Sequence, residues 1–251
     1  KAFESASKVG RTGQDMIEAA TEFKRAGKDI ETSLEMGEAA LVMTNVADGI
    51  DQTSDAASTL IAVLNGFNMD DSDAMSVVDK LNSVSNQSPV GFDNLADGLE
   101  RVSGTMNQAG NSLDETIGML TGGFTQLRNM EKVSSGLITI SQRLRAVDED
   151  GEVIDGLSAE LESAFGSIGV AIEDANGDLR STYDILHDYA QVFPTLTSEQ
   201  KQYFGELAAG KRQVNVFNAI VDEMATVDTA INQSVDSLGA AEKENETYRQ
   251  S

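Results

Sequence analysis

Apolar residues recur at steps of three and four along most of the chain, which is the spacing that places them on one face of an α-helix. The clearest stripe runs from Phe92 to Met106. Each stripe needs an apolar partner, so the pattern predicts helices that pack on one another. The stripes comprise Phe92, Leu95, Ala96, Leu99, Val102 and Met106; Ala57, Leu60, Ile61, Leu64 and Phe67; Ala74, Val77, Val78, Leu81 and Val84; and Leu113, Ile117, Leu120, Phe124 and Leu127.

Helix ends are marked by capping residues. Gly110 is suited to end one helix, and Ser112 with Glu115 three residues later forms a capping box that begins the next. Thr197 and Gln200 form a second capping box. Because the connections between these helices are short, neighbours should run antiparallel. The sequence therefore predicts an all-α bundle of about ten helices.

One segment departs from the helical period. Val170 and Ile172 alternate with small or polar residues, and the pair Asn176-Gly177 follows, which is a strong signal for a tight turn between two strands. This pattern predicts one small β-hairpin near residues 169–181. A similar Asp150-Gly151 pair lies in residues 147–155, where we expect an exposed acidic loop or a short hairpin.

Composition narrows the classes of function. The 251 residues carry 42 acidic and 18 basic side chains, a formal net charge of −24, with two prolines, one histidine and no cysteine. Binding to nucleic acid requires cations that displace counterions from phosphates, so no nucleic-acid binding is expected for this segment. The lack of cysteine excludes disulfides and thiolate metal sites. The sequence contains no apolar run of about 18 residues, so no transmembrane helix is predicted.

The stretch from Gly205 to Arg212 has the frame of a phosphate-binding loop, G-x-x-x-x-G-K-[ST], with Arg212 in place of the hydroxyl residue. A phosphate loop follows a β-strand, whereas the residues before Gly210 have a helical pattern. We therefore expect a helix–glycine–helix junction that binds no nucleotide. Lys211 and Arg212 are expected beside the C-terminal carbonyls of the first helix, where cations are favoured.

The remaining candidate sites fail on spacing or on partners. Calcium loops counted from Asp148 or Asp174 place Val153 or Leu179 at the sixth position, which requires glycine. His187 is the single histidine, so a zinc site or a Ser-His triad lacks its partners. The sequence therefore predicts no enzyme, no catalytic, cofactor-binding or metal-binding residues, and no cofactor.

The C-terminal residues leave two alternatives open. Ile231, Val235, Leu238 and Ala241 follow one another at steps of four, three and three, a narrow apolar seam close to that of a coiled coil. The helix either folds back on the core or leaves the domain to meet other copies. We expect a core helical domain over residues 1–225 and a C-terminal helix over 226–251. The polar ends lead us to expect that the chain is a piece of a longer protein.

Several segments, in order, resemble phage tail tape measure proteins. The resemblance is strongest in "ELAAGKRQVNVFNAIV", and it continues through "VGFDNLADGLERVSGTMNQAGNSLDETIGMLTGG", "NMEKVSSGLITISQRLR" and "GVAIEDANGDLRSTYDILHDYAQVFPTLTSEQKQYF". The N-terminal helical segments are similar to the same family. Together they cover about residues 13–225, and their order makes the resemblance specific.

The resemblance implies a structural role in the tail of a phage, a prophage or a tailocin. Tape measure proteins lie extended in the tail tube, set the tail length during assembly and leave ahead of the DNA at infection. The implied partners are tail tube and tail tip or baseplate proteins, tail assembly chaperones and other copies of the full-length protein. The implied location is the tube lumen or tail tip of the virion, after assembly in the host cytoplasm.

Two other functions stay open at the level of sequence. The chain is alternatively a helical module of a tail-associated protein that degrades the cell wall or penetrates the membrane, or a generic helical interaction scaffold. Some relatives carry peptidase or lysozyme-like segments, but those catalytic motifs do not occur in these residues. Contact with a host membrane or cell wall would then belong to other segments.

Overall fold

The computed structural model describes residues 2–148 and 150–250. The predicted all-α class is confirmed, because these residues form α-helices, short 3₁₀ turns and loops without a β-sheet. The helices of the described ranges are α1 (Ala2–Lys8), α2 (Gly13–Arg25), α3 (Ile30–Val46), α4 (Thr53–Gly66), α5 (Ala74–Ser85), α6 (Phe92–Gln108), α7 (Leu113–Leu127), α8 (Met130–Leu144), α9 (Leu157–Ser167), α10 (Thr182–Val192), α11 (Ser198–Asp222), α12 (Met224–Val235) and α13 (Ala240–Gln250).

The helix count is thirteen in the described residues, rather than about ten, because segments expected to be continuous are interrupted. The predicted capping boxes are present. The amide of Glu115 donates to Ser112 Oγ at 3.2 Å, and the amide of Ser112 donates to the Glu115 carboxylate at 2.7 Å. Thr197 and Gln200 make the same reciprocal pair at the start of α11. Local capping signals therefore located helix starts well.

The predicted β-hairpin at residues 169–181 does not form, and this expectation was wrong. One isolated antiparallel bridge joins Glu173 to Leu179, and no strand extends from it in the described chain. Val170 and Ile172 are buried in the core of helices, so their alternation does not produce a sheet face. A two-stranded ribbon without a further strand or an apolar face is marginal, and only the turn remains. A second isolated antiparallel bridge joins Val147 to Val153.

Contacts between residues group the chain into two compact units. Unit 1 contains residues 1–100 and 230–251, and unit 2 contains residues 101–229. The boundaries fall within α6 and α12. The division at residue 225 that the sequence suggested stays a prediction.

Unit 1 is built around α3, which packs against α2, α4 and α5. Its core is rich in methionine and leucine, whose flexible or well-defined side chains fill the space between helices. The largest side chains with almost no exposed surface are Met16, Phe23, Met36, Leu41, Met43, Leu60, Leu64, Leu81 and Leu95. The sequence stripes on α4, α5 and the first part of α6 supply most of these apolar contacts.

Unit 2 is centred on α8 and α11, which approach closely. A Cβ atom at Gly136 would lie 2.5–2.6 Å from the side chain of Val216, so only glycine permits this spacing. Unit 2 also contains a cluster of four aromatic rings, whose contacting pairs have centroids 5.2–5.8 Å apart: Phe165, Tyr189, Phe204 and Phe217. Tilted and edge-to-face rings at this distance attract beyond the burial of their surface. The aromatic cluster thus joins α9, α10 and α11.

The C-terminal residues form two helices instead of one. The chain breaks between Val235 and Ala240, and α13 then packs against α3 and α5 of unit 1. The apolar seam is divided accordingly, because Leu238 is 95% exposed whereas Ala241 is fully buried. Of the two alternatives, the described residues have the helix folded back on the core.

The break is held by α5. Asp79, buried on α5, accepts hydrogen bonds from the amides of Gly239 and Ala241, both at 2.9 Å. The hydroxyl of Ser83 donates to the carbonyl of Gln233 at 2.9 Å, at the end of α12. One helix therefore caps the C-terminus of α12 and the N-terminus of α13. We call Asp79 and Ser83 with these partners the α5 clasp.

Candidate functional site

Gly210 interrupts α11. Its φ and ψ angles are 67° and 162°, a conformation outside the helical region that is essentially reserved for glycine. The residues before and after it are helical, so the expected helix–glycine–helix junction is present. Since a helix and not a strand precedes Gly210, the segment lacks the geometry of a phosphate loop.

A guanidinium from another helix, Arg143, lies at the end of the first half of α11, where Lys211 and Arg212 were expected. Its Nε and Nη2 both donate to the carbonyl of Leu207 at 3.1 Å. A carbonyl in the last turn of a helix is a favourable partner for a guanidinium group. Arg143 lies 64 residues away in sequence, on α8, which is why periodicity did not reveal this contact.

A pocket of about 470 Å³ opens beside the kink. We call it the kink pocket. It is formed by the C-terminal part of α8, the turn after α8 and the kink itself, all within unit 2. Its described lining residues are Thr139, Gln142, Arg143, Val147, Asp148, Asp150, Ile154, Ala209, Gly210, Lys211, Arg212 and Gln213.

The two acidic turns repeat the same arrangement of atoms 26 positions apart in the sequence. In each turn an aspartate, Asp148 or Asp174, accepts hydrogen bonds through Oδ1 from the amides two and four residues later, at 2.8–3.0 Å. The same aspartate also closes the turn through its own amide. These carboxylates replace backbone acceptors in a tight turn. Their hydrogen bonds thus account for their position without a metal ion.

Hydrogen bonding lowers the pKa of Asp174 below its ordinary value of 3.8, chiefly through the amides of Asp178 and Asn176. Because the pKa is lower in the folded state than in the unfolded state, the ionised carboxylate stabilises the turn fully at a pH above the unfolded-state pKa. This contribution is lost as the pH falls through the folded-state pKa. The side chain is fully exposed, so the turn is screened by solvent.

His187 lies on α10, facing carboxylates. Its Nε2 is 3.6 Å from Asp228 Oδ2, and its Nδ1 is 3.9 Å from Asp188 Oδ1. The hydroxyl of Tyr183 donates to Asp228 at 2.9 Å, and burial together with this carboxylate raises the pKa of Tyr183. The arrangement joins α10 to α12. Within residues 2–148 and 150–250, no group of three or more histidine or acidic side chains is placed to hold a metal ion.

The sequence analysis did not single out two residues that hold these structures together: Arg143 at the kink and Asp79 in the α5 clasp. Arg143 had no local signal, because its partner lies in a distant helix. The sequence did contain a signal for Asp79, because it is a lone carboxylate within the apolar stripe of Ala74, Val77, Val78, Leu81 and Val84. A buried carboxylate needs hydrogen-bond donors. No helix in the part of the chain that the structure describes is long and apolar enough to cross a membrane.

The chain belongs to the phage-related minor tail protein family, whose model matches residues 3–210. This match covers unit 1 up to residue 100 and unit 2 up to the kink. No solved structure matches the chain.

Proposed function

We propose that this chain is a segment of a tape measure protein, which sets the length of a phage tail during assembly. The observation that carries the proposal is the family membership over residues 3–210, together with ordered segments that resemble tape measure proteins through residue 225. In this role the protein lies in the lumen of the tail tube, several copies side by side, and leaves ahead of the DNA.

The physical properties of the chain support this role. In the proposed full-length protein, the ruler would be long continuous helices outside these compact units, since an α-helix rises about 1.5 Å per residue. A net charge of −24 also keeps the protein from binding DNA that later uses the same tube. We propose no catalytic role for these residues. The proposed partners are the tail tube, tail tip and assembly chaperone proteins.

Tail length is the measurement that tests the proposal. A helical insert of 40 residues, placed in the phage gene outside the codons for residues 1–251, should lengthen the tail by about 60 Å. An in-frame deletion of the same size should shorten it by the same amount. Negative-stain electron microscopy of purified particles gives the lengths.

The matched control is the same insert in another tail protein gene, which should leave tail length unchanged. Tails of normal length from the insertion and deletion phages would contradict the tape measure role. Normal tails combined with loss of cell-wall degradation would favour the alternative of a lytic tail module.

A further inference from the structure

We propose that the kink pocket binds an acidic peptide segment of another tail protein, with a carboxylate of that segment on Arg143, Lys211 and Arg212. The inference rests only on membership of the tail protein family and does not require the tape measure role. It concerns unit 2 alone.

The kink pocket is large enough for a short peptide segment. About 470 Å³ lies within the range of pockets that hold small ligands or a few side chains. Val147 and Ile154 supply apolar surface, and Thr139 and Gln142 supply polar groups from α8. A short peptide segment that presents both kinds of surface fits such a lining.

Three cationic side chains, Arg143, Lys211 and Arg212, line the pocket. Lys211 and Arg212 are exposed, and no carboxylate within the described ranges makes an ion pair with either of them or with Arg143. Arg143 donates two hydrogen bonds to the carbonyl of Leu207, and because a carbonyl is neutral, the positive charge of Arg143 is not neutralised there. In a chain with 42 acidic and 18 basic residues, three neighbouring cations that make no ion pair in the described residues attract a carboxylate.

The remaining charges select against polyanions. Asp148 and Asp150 also line the pocket, and their carboxylates would repel the several charges of a triphosphate. The lining contains no aromatic ring to stack on a nucleobase. A peptide with one or two carboxylates therefore satisfies the cations with less repulsion than ATP.

The test is an NMR titration of the ¹⁵N-labelled chain with acetyl-Glu-Leu-Glu-amide, and in parallel with acetyl-Gln-Leu-Gln-amide. We expect saturable shifts of the amides of residues 209–213 and of the Arg143 Nε signal with the glutamate peptide alone. Changing Lys211→Gln together with Arg212→Gln should weaken binding at least about tenfold, since two charge-assisted contacts are lost. These exposed side chains have no partner to lose, so the fold is retained.

The control variant changes Lys24→Gln together with Lys132→Gln, which removes the same net charge from two other exposed positions. It should bind as the unmodified chain does. No saturable shift at millimolar peptide, or equal loss in both variants, would overturn the proposal. Inorganic phosphate that binds as tightly as the peptide would overturn the assignment to a carboxylate, and micromolar ATP binding abolished by Lys211→Ala would establish a nucleotide site instead.

Discussion

At the scale of the residue, the apolar stripes describe the core with few errors. Every member of the stripe from Phe92 to Met106 is buried, and Leu99 has no exposed surface. The contacts that the sequence did not reveal are those between residues far apart along the chain, such as Arg143 with the carbonyl of Leu207. Periodicity reports which face of a helix is buried, but not which distant group meets it.

Leu99→Asp should unfold unit 1 at neutral pH. An uncompensated charge in the core costs about 3–5 kcal/mol, a large part of the stability of a typical domain. Thermal unfolding followed by circular dichroism measures the effect. Leu99→Met conserves volume and should cost less than about 1.5 kcal/mol. An aspartate variant that melts like the unmodified chain would show that the assigned helix face is wrong.

Gly210→Ala should destabilise unit 2 by about 1–3 kcal/mol, because its backbone conformation is unfavourable for any residue with a Cβ. The new methyl group would meet Arg143 at an ordinary distance of 3.6 Å, so the cost is in the backbone and not in a collision. Gly104→Ala is the matched control. Gly104 lies within α6 with open space around it, and there alanine should stabilise by about 0.5–1 kcal/mol. Denaturant unfolding of both variants measures the difference, and equal effects would contradict the strained kink.

At the scale of the element, helix starts were predictable and chain breaks were not. The capping boxes at Ser112 and Thr197 are local, and both formed. The break between α12 and α13 depends on Asp79, about 160 residues away. The hairpin expectation failed for a related reason: the Asn176-Gly177 turn formed, but the adjoining apolar residues were taken into a helical core that local alternation cannot reveal.

Asp79→Ala should release the start of α13. The amides of Gly239 and Ala241 would lose a charged acceptor, with a cost of about 1.5–3 kcal/mol for each hydrogen bond. We expect faster hydrogen exchange of these amides and of α13, with the exchange of α8 and α11 unchanged. Asp79→Asn retains one acceptor oxygen and should have a smaller effect. Unaltered exchange at Gly239 and Ala241 in the alanine variant would show that the α5 clasp does not hold the break.

At the scale of the whole molecule, net charge governs association. Each chain carries −24, while Val235 and Leu238 are 60% and 95% exposed at the break. Short apolar contacts are weak, and repulsion between like-charged copies opposes them. Any copies of this chain that associate have to overcome the same repulsion.

The isolated chain should therefore be monomeric or weakly associated at low salt, and added salt should favour association. The Debye length is about 30 Å at 0.01 M ionic strength and about 8 Å at 0.15 M, so salt screens the repulsion. Light scattering across a salt series measures this. Leu238→Ser should reduce the association at high salt. A tight oligomer at low salt that persists when both Val235 and Leu238 are changed to serine would exclude the proposed seam.

The order of the units along the chain has a mechanical consequence. Residues 1–100 and 230–251 belong to unit 1, so unit 2 is an insertion whose two connections both lead into unit 1. Tension applied at the two ends of the chain therefore acts first across unit 1, and it reaches unit 2 only after α13 has detached from α3 and α5. While unit 1 holds, the 129 residues of unit 2 add nothing to the end-to-end extension. A chain stretched along its length would gain the length of unit 2 only when the α5 clasp opens.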